Sequence, residues 1–282
     1  MVTFGVPSGI GDVSWAYSKL VHTGKQIYEV ADGWPHRTVP FLELLPGVAR
    51  TSYGPFNFHD IVAFEQTHGY HPNGEWSSIG EKGFGRTLIE PNRWLEMGHR
   101  LEEWLPDLPC DFHYPINVSA NDATKAVDRL KHLKRPITGI SAASYRGSEA
   151  WKTWGYAEWS QFLKAWHAEV GGTILLLGGF WDDLTDTLAD DGYDSLVGKT
   201  SVGTIVEVLR LLDYYIGFSS GLGVLRTVMH KNALMLWPDF QAELSTSWAP
   251  PEMLEQGTYM AQLWRDPELV AKRARLWLRR MS

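Results

Sequence analysis

Hydrophobic positions along this chain fall into two patterns: short apolar runs of four or five residues, and longer stripes at helical spacing. The second half shows them most cleanly. Runs at 137–141, 173–177, 214–217 and 233–237 predict buried strands, and stripes at 156–169, 202–212 and 222–230 predict helices between them. Strands alternating with helices form βαβ units, hence an α/β protein with a mostly parallel sheet. The first half begins in the same way. A strand at 2–6 precedes a helix carrying Val13, Trp15, Ala16 and Leu20, and a second strand follows at 26–30 with a turn at Asp32-Gly33-Trp34-Pro35.

Between 50 and 90, Gly, His, Asn and Pro leave few predictable elements. Residues 92–105 read as a helix, with Trp94, Leu95, Gly98, Leu101, Trp104 and Leu105 on one face; Pro106 and Pro109 end it. A linker with a helix at 120–133 is expected near 115–136, which divides the chain into domains at 1–125 and 126–282. The tail, 266–281, predicts a helix capped by Asp266 with Pro267 at its first position. Val270, Ala274, Trp277 and Met281 form its stripe, and Lys272, Arg273, Arg275, Arg279 and Arg280 its other face. That basic face suits packing against the acidic first half; nucleic acid or a membrane is its other use.

The chain has 282 residues and a net charge of −7. Residues 1–130 carry 10 Lys+Arg against 16 Asp+Glu, an imbalance that disfavours a phosphate backbone as the partner of this half. Cys110 is the only cysteine, which excludes an internal disulfide and a cysteine-cluster metal site, and points to a cytoplasmic setting. No apolar run is long enough for a membrane span, and no signal peptide is evident.

Candidate chemistry gathers in the loops that follow strands. Gly9 and Gly11 allow a ligand close to the backbone, and Asp12 at the helix start reads either as a general base or as an N-cap worth about 1 kcal/mol. Gly9-x-Gly11-x-x-Ser14 also approximates a dinucleotide fingerprint, with Glu29 or Asp32 as the ribose-binding acid. Lys152, in a polar loop, reads as a diphosphate ligand or as a solvated lysine. Gly217 to Gly223 is a small-residue loop opening a helix, a site suited to phosphate. After Gly178-Gly179, Asp182 accepts from ribose hydroxyls or caps the next helix. Trp154 is expected to anchor the core. His59, Asp60, His68 and His71 lack a third ligand at firm spacing, and no metal is assigned.

These segments together resemble the ADP-heptose:lipopolysaccharide heptosyltransferase family, which has the GT-B glycosyltransferase fold. Gly9-Ile10-Gly11-Asp12-Val13 is similar to that family's first-loop motif, whose Asp is the catalytic base. Lys152-Thr153-Trp154 is similar to its Lys-x-Trp element, in which the Lys contacts donor phosphates. Leu177-Gly178-Gly179 and Leu196-Val197-Gly198-Lys199-Thr200-Ser201 look like nucleotide-side segments, and 216–221 stands where the family has a Gly-x-Asp-(Ser/Thr)-Gly loop. Ser219 replaces that loop's Asp and Val224 a following His. The likeness covers the first 20 residues and most of 137–237.

The resemblance implies two Rossmann-like domains facing across a cleft, with the C-terminal helix packing back on the N-terminal domain. It implies transfer of a sugar from a nucleotide diphosphate-sugar to an acceptor hydroxyl, inverting and metal-independent, with no further cofactor. Asp12 and Lys152 are the expected catalytic residues. Gly9, Gly11, Gly179, Asp182, Lys199, Thr200, Ser219, Ser220, Gly221 and Leu222 are the expected donor-binding set. A saccharide acceptor is expected over a nucleic acid, with residues 50–90 on the acceptor side. Three alternatives stay open: an NAD-dependent oxidoreductase using Glu29, a non-catalytic nucleotide-sugar-binding homologue, and a transferase acting on a hydroxymethylated DNA base.

Overall fold

Two sheets, parallel in every described pairing, carry the chain, and in each the order of strands reverses beside the first strand laid down. The computed structural model describes residues 2–6, 8–32, 37–57, 87–88, 101–103, 106–143, 154–218, 220–237, 259–262 and 266–279. The chain divides into two units, Met1–Asn117 and Val118–Ser282.

In the first unit the strands are β1 (Val2–Val6), β2 (Gln26–Asp32), β3 (Val48–Asn57) and β4 (Thr87–Leu88), in the order β3-β2-β1-β4. The chain steps from β1 through β2 to β3 on one side, then returns to β1's other side with β4. Helix α1 (Ile10–Leu20) is almost wholly buried. Its Lys19 is buried too, because the ammonium donates to the carbonyls of Glu102 (3.0 Å) and Leu108 (2.9 Å). Tyr17 and Tyr114 meet edge to face at 4.7 Å, and the Tyr114 hydroxyl donates to Ser14 O at 2.9 Å. A short helix α2 (Thr38–Leu42) precedes β3.

The second unit holds β5 (Ile137–Ser141), β6 (Thr173–Leu176), β7 (Asp194–Ser195), β8 (Tyr214–Phe218), β9 (Leu234–Trp237) and β10 (Tyr259–Gln262), ordered β10-β9-β8-β5-β6-β7. Its helices are α3 (Ala120–Leu130), α4 (Tyr156–Val170), α5 (Asp183–Thr187), α6 (Val202–Leu211), α7 (Gly221–Val228) and α8 (Pro267–Arg279). Trp159, Phe162 and Trp166 project from one face of α4 into the core, and Trp154 packs edge to face on Trp159 at 5.3 Å. Trp154 anchors the core, as expected.

Two expectations are adjusted. Residues 50–57 belong to β3, whose Ala49 and Arg50 are exposed: an edge strand needs no apolar run to mark it. Most of the helix expected at 92–105 lies outside the described residues, and Leu101–Glu103 is a 3₁₀ turn. The tail helix is present and capped, with Asp266 accepting from the amides of Glu268 and Leu269. Its Val270, Ala271 and Ala274 sit in the second unit's core against α4, and Arg275 pairs with Glu169 there.

Candidate functional site

In open parallel sheets, ligands bind beyond the carboxyl ends of the strands at the point where strand order reverses. In the first unit that point lies beside β1, and the loop leaving β1 is Ser8-Gly9. Gly9 occupies the N-cap of α1 in extended backbone, with no side-chain cap. Asp12 is therefore the third helical residue and not the cap. An ideal Cβ on Gly9 would stand 2.5 Å from Asp12 Oδ2, so the carboxylate folds back over the glycine toward the helix's positive end. Asp12 is half-buried, Gly11 is buried in the first turn, and Thr38 Oγ1 of α2 donates to Ser8 O, tying down the loop. This removes the N-cap reading of Asp12 and places its carboxylate in the first turn of the helix.

In the second unit the reversal falls between β5 and β8. Beyond β8, Ser220 forms the N-cap of α7 without a side-chain bond, and Gly221 and Leu222 open the helix. Val224 N bonds back to Ser220 O at 3.0 Å; the amides that open a helix precede its own ladder of bonds and are open to a ligand. Tyr215 lies beneath this loop, its hydroxyl 3.5 Å from Ser220 Oγ. Burial pushes its pKa up to about 12, so it is a neutral phenol here. Gly217 is required above it: a Cβ there would stand 2.8 Å from the Tyr215 hydroxyl and 2.9 Å from Ser141 O.

The loops after β6 and β7 are joined. Leu196 N donates to Leu176 O (2.9 Å) and Gly198 N to Gly178 O (3.0 Å), which sets Gly178-Gly179 beside Gly198-Lys199. Asp182 is buried, and its Oδ2 accepts from Gly179 N at 2.7 Å. It braces the turn, and it stands at the start of α5 without a side-chain capping bond. Gly179 gives room for the Trp181 indole, which comes within 2.1 Å of where a Cβ would be. Lys199 is exposed and donates to Ser195 O (3.1 Å), Thr200 is half-buried, and Ser201 caps α6 through Thr204 N (3.1 Å).

The structure thus sets the β6 turn that carries Gly179 and Asp182 beside the β7 turn that leads to Lys199 and Thr200, with Ser220, Gly221 and Leu222 beyond β8, two strands from β6. Asp12, Gly9 and Gly11 belong to the first unit. Lys152, Ser219, His59, Asp60, His68 and His71 lie outside the described residues. Sequence reasoning missed Tyr215, which floors the α7 loop, and Thr185, whose hydroxyl accepts from Ala142 N at the end of β5 (3.1 Å). Strand periodicity offered the signal for Tyr215: it shares a face with Gly217, two residues on.

Two parallel α/β units, each with a glycine loop at its reversal point, match the GT-B fold. Solved structures of that class match the whole chain. Heptosyltransferase II of E. coli, an ADP-heptose lps heptosyltransferase, is 15% identical with a TM-score of 0.62, over 99% of this chain and 98% of that one. A glycosyl transferase family 9 protein of Veillonella parvula is 12% identical with a TM-score of 0.66, over 98% and 97%. E. coli heptosyltransferase WaaC, solved with ADP, is 13% identical with a TM-score of 0.56, each chain fully covered. The chain has the fold of these heptosyltransferases. No protein-family model matches the sequence, and no curated protein matches it. Among the described residues, no helix is long and apolar enough to cross a membrane.

Proposed function

We propose that this protein is a glycosyltransferase that moves a sugar from a nucleotide diphosphate-sugar to an acceptor hydroxyl. The observation that carries the reading is the Asp12 carboxylate, folded over Gly9 at the reversal point of the first sheet. A carboxylate so placed accepts the hydroxyl proton as the oxygen attacks the anomeric carbon and the sugar–phosphate bond breaks on the opposite face. The anomeric configuration inverts. The diphosphate leaves carrying the bonding electron pair, and its charge is met by the α7 amides at Gly221 and Leu222 and by Lys152. Full-length likeness to structures that include an ADP-bound heptosyltransferase supports a donor of this class.

Asp12→Asn tests the assignment. A neutral amide keeps the shape and cannot take the proton, so transfer is lost while nucleoside diphosphate affinity is retained. Product formation by the Asn variant at the wild-type rate would refute the base. Lys152→Ala is expected to weaken nucleotide binding with the fold intact, read as a reduced thermal shift on adding nucleotide.

A further inference from the structure

Phe180 is the most exposed large apolar side chain among the described residues of the second unit, at 61%. Its position is tightly specified. It follows Gly178-Gly179 at the carboxyl end of β6, on a turn closed by Asp182 N to Gly179 O (3.0 Å) and braced by the Asp182 carboxylate. Trp181 meets its ring edge to face at 4.8 Å. From the other side Gly198, with φ +66, lies close enough that a Cβ would come within 3.0 Å of Phe180 Cβ. Two glycine turns and a buried carboxylate therefore hold one aromatic ring in water.

Resting on the transferase reading above, we propose that Phe180 is the stacking platform for the donor's nucleobase. The α7 loop lies beyond β8 and the Phe180 turn beyond β6, with β5 between them. Two strand spacings are roughly 10 Å, a span that a nucleoside diphosphate covers from its phosphates to its base. Phosphates at Gly221 and Leu222 thus bring the base to Phe180. Stacking on an aromatic face tolerates any base, because every base has a π-face. The platform accordingly supplies affinity for a nucleoside, and its neighbours choose which one.

The test is calorimetric titration of the full chain with ADP, UDP and inorganic pyrophosphate, for wild type, Phe180→Ala and Phe180→Trp. The Ala variant is expected to bind the preferred nucleoside diphosphate roughly five- to 100-fold more weakly, with pyrophosphate binding unchanged. The Trp variant keeps the affinity, and melting temperatures stay together because the ring is exposed. Unchanged nucleotide affinity in the Ala variant overturns the platform and leaves the donor site standing. Equal binding of nucleotides and pyrophosphate by wild type does the same. Failure of wild type to bind any of the three overturns the donor reading, and the platform with it.

Discussion

Asp12 and Gly9 occupy one space: the Asp12 Oδ2 oxygen lies 2.5 Å from the point where residue 9 would carry a Cβ. The backbone of Gly9, at φ −90 and ψ 126, is open to any residue. The group that a Cβ there would meet first is the carboxylate. Gly9→Ala is therefore expected to fold normally, since the obstructing atom is the end of a side chain that can rotate away. The rotated carboxylate loses its aim. On the proposed transferase function, activity is expected to fall by about 10- to 100-fold, within the range general-base catalysis contributes, with melting temperature and nucleotide affinity near wild type. Kinetics and thermal melts on one preparation check it. A Gly9→Ala enzyme with full activity would show that this placement of the carboxylate is not needed.

The Asp122 carboxylate joins two helix starts. It accepts from Ser119 Oγ (2.7 Å) at the head of α3, and from Ser201 Oγ (2.6 Å) and Thr204 Oγ1 (2.8 Å) at the head of α6. These hydrogen bonds hold its pKa below the ordinary value, Ser201 contributing most. A carboxyl group with a depressed folded-state pKa stabilises the fold above its unfolded pKa of about 3.9 and loses that contribution as pH falls through the lower value. Asp122→Ala is expected to cost about 1–2 kcal/mol at neutral pH. The gap to wild type should begin to narrow below about pH 4 and close once pH lies under the lowered folded value. Urea unfolding at several pH values reads it, and a gap that persists at low pH would sink the account.

How much of this was legible beforehand depends on what each residue's partner is. The runs at 137–141, 173–176 and 214–218 are apolar because both faces of a central parallel strand are covered, so composition alone marks them. The loop glycines at 9, 178, 179 and 217 were visible as candidates. Their reasons were not, since each makes room for a particular side chain: Asp12, Asp182, Trp181 and Tyr215. Lys19 and Arg226 carry no mark of burial in one dimension, and both are buried against backbone carbonyls. Those carbonyls come from distant segments or helix ends, and no local pattern announces such an acceptor. The Asp122 bridge to Ser201 is hidden for the same reason, spanning 79 positions.

Alkaline pH is expected to unfold the chain through its buried phenols. Burial pushes Tyr17 and Tyr215 up to about 12, and raises Tyr28 and Tyr114 as well. Each is neutral when folded and ionises near 10 when unfolded. The unfolded state thus releases protons first, and stability falls as pH rises from about 10 toward 12. Phenolate absorbance should show one set of tyrosines titrating freely and a second set appearing only with loss of helical circular dichroism. Tyr215→Phe removes one member of the second set and should move the transition to higher pH. A single smooth titration with the fold intact would contradict the burial.

Arg226 closes the end of α6. Its guanidinium donates to the carbonyl of Leu209, to Leu212 O (3.2 Å) and to Asn232 O (3.2 Å), and the residue is buried. These acceptors fall in the last turn of α6, at its C-cap and just before β9, where the helix's negative end also favours a cation. Burial lowers the Arg226 pKa to about 10, which still leaves it charged at neutral pH. Arg226→Leu leaves buried carbonyls without a donor and is expected to cost about 3 kcal/mol or more. Arg226→Lys should recover only part, because one ammonium cannot reach three acceptors that a planar fork spans. Urea titrations at constant m-value report both changes. Equal midpoints for wild type and Arg226→Leu would mean that the guanidinium is not the group holding this helix end.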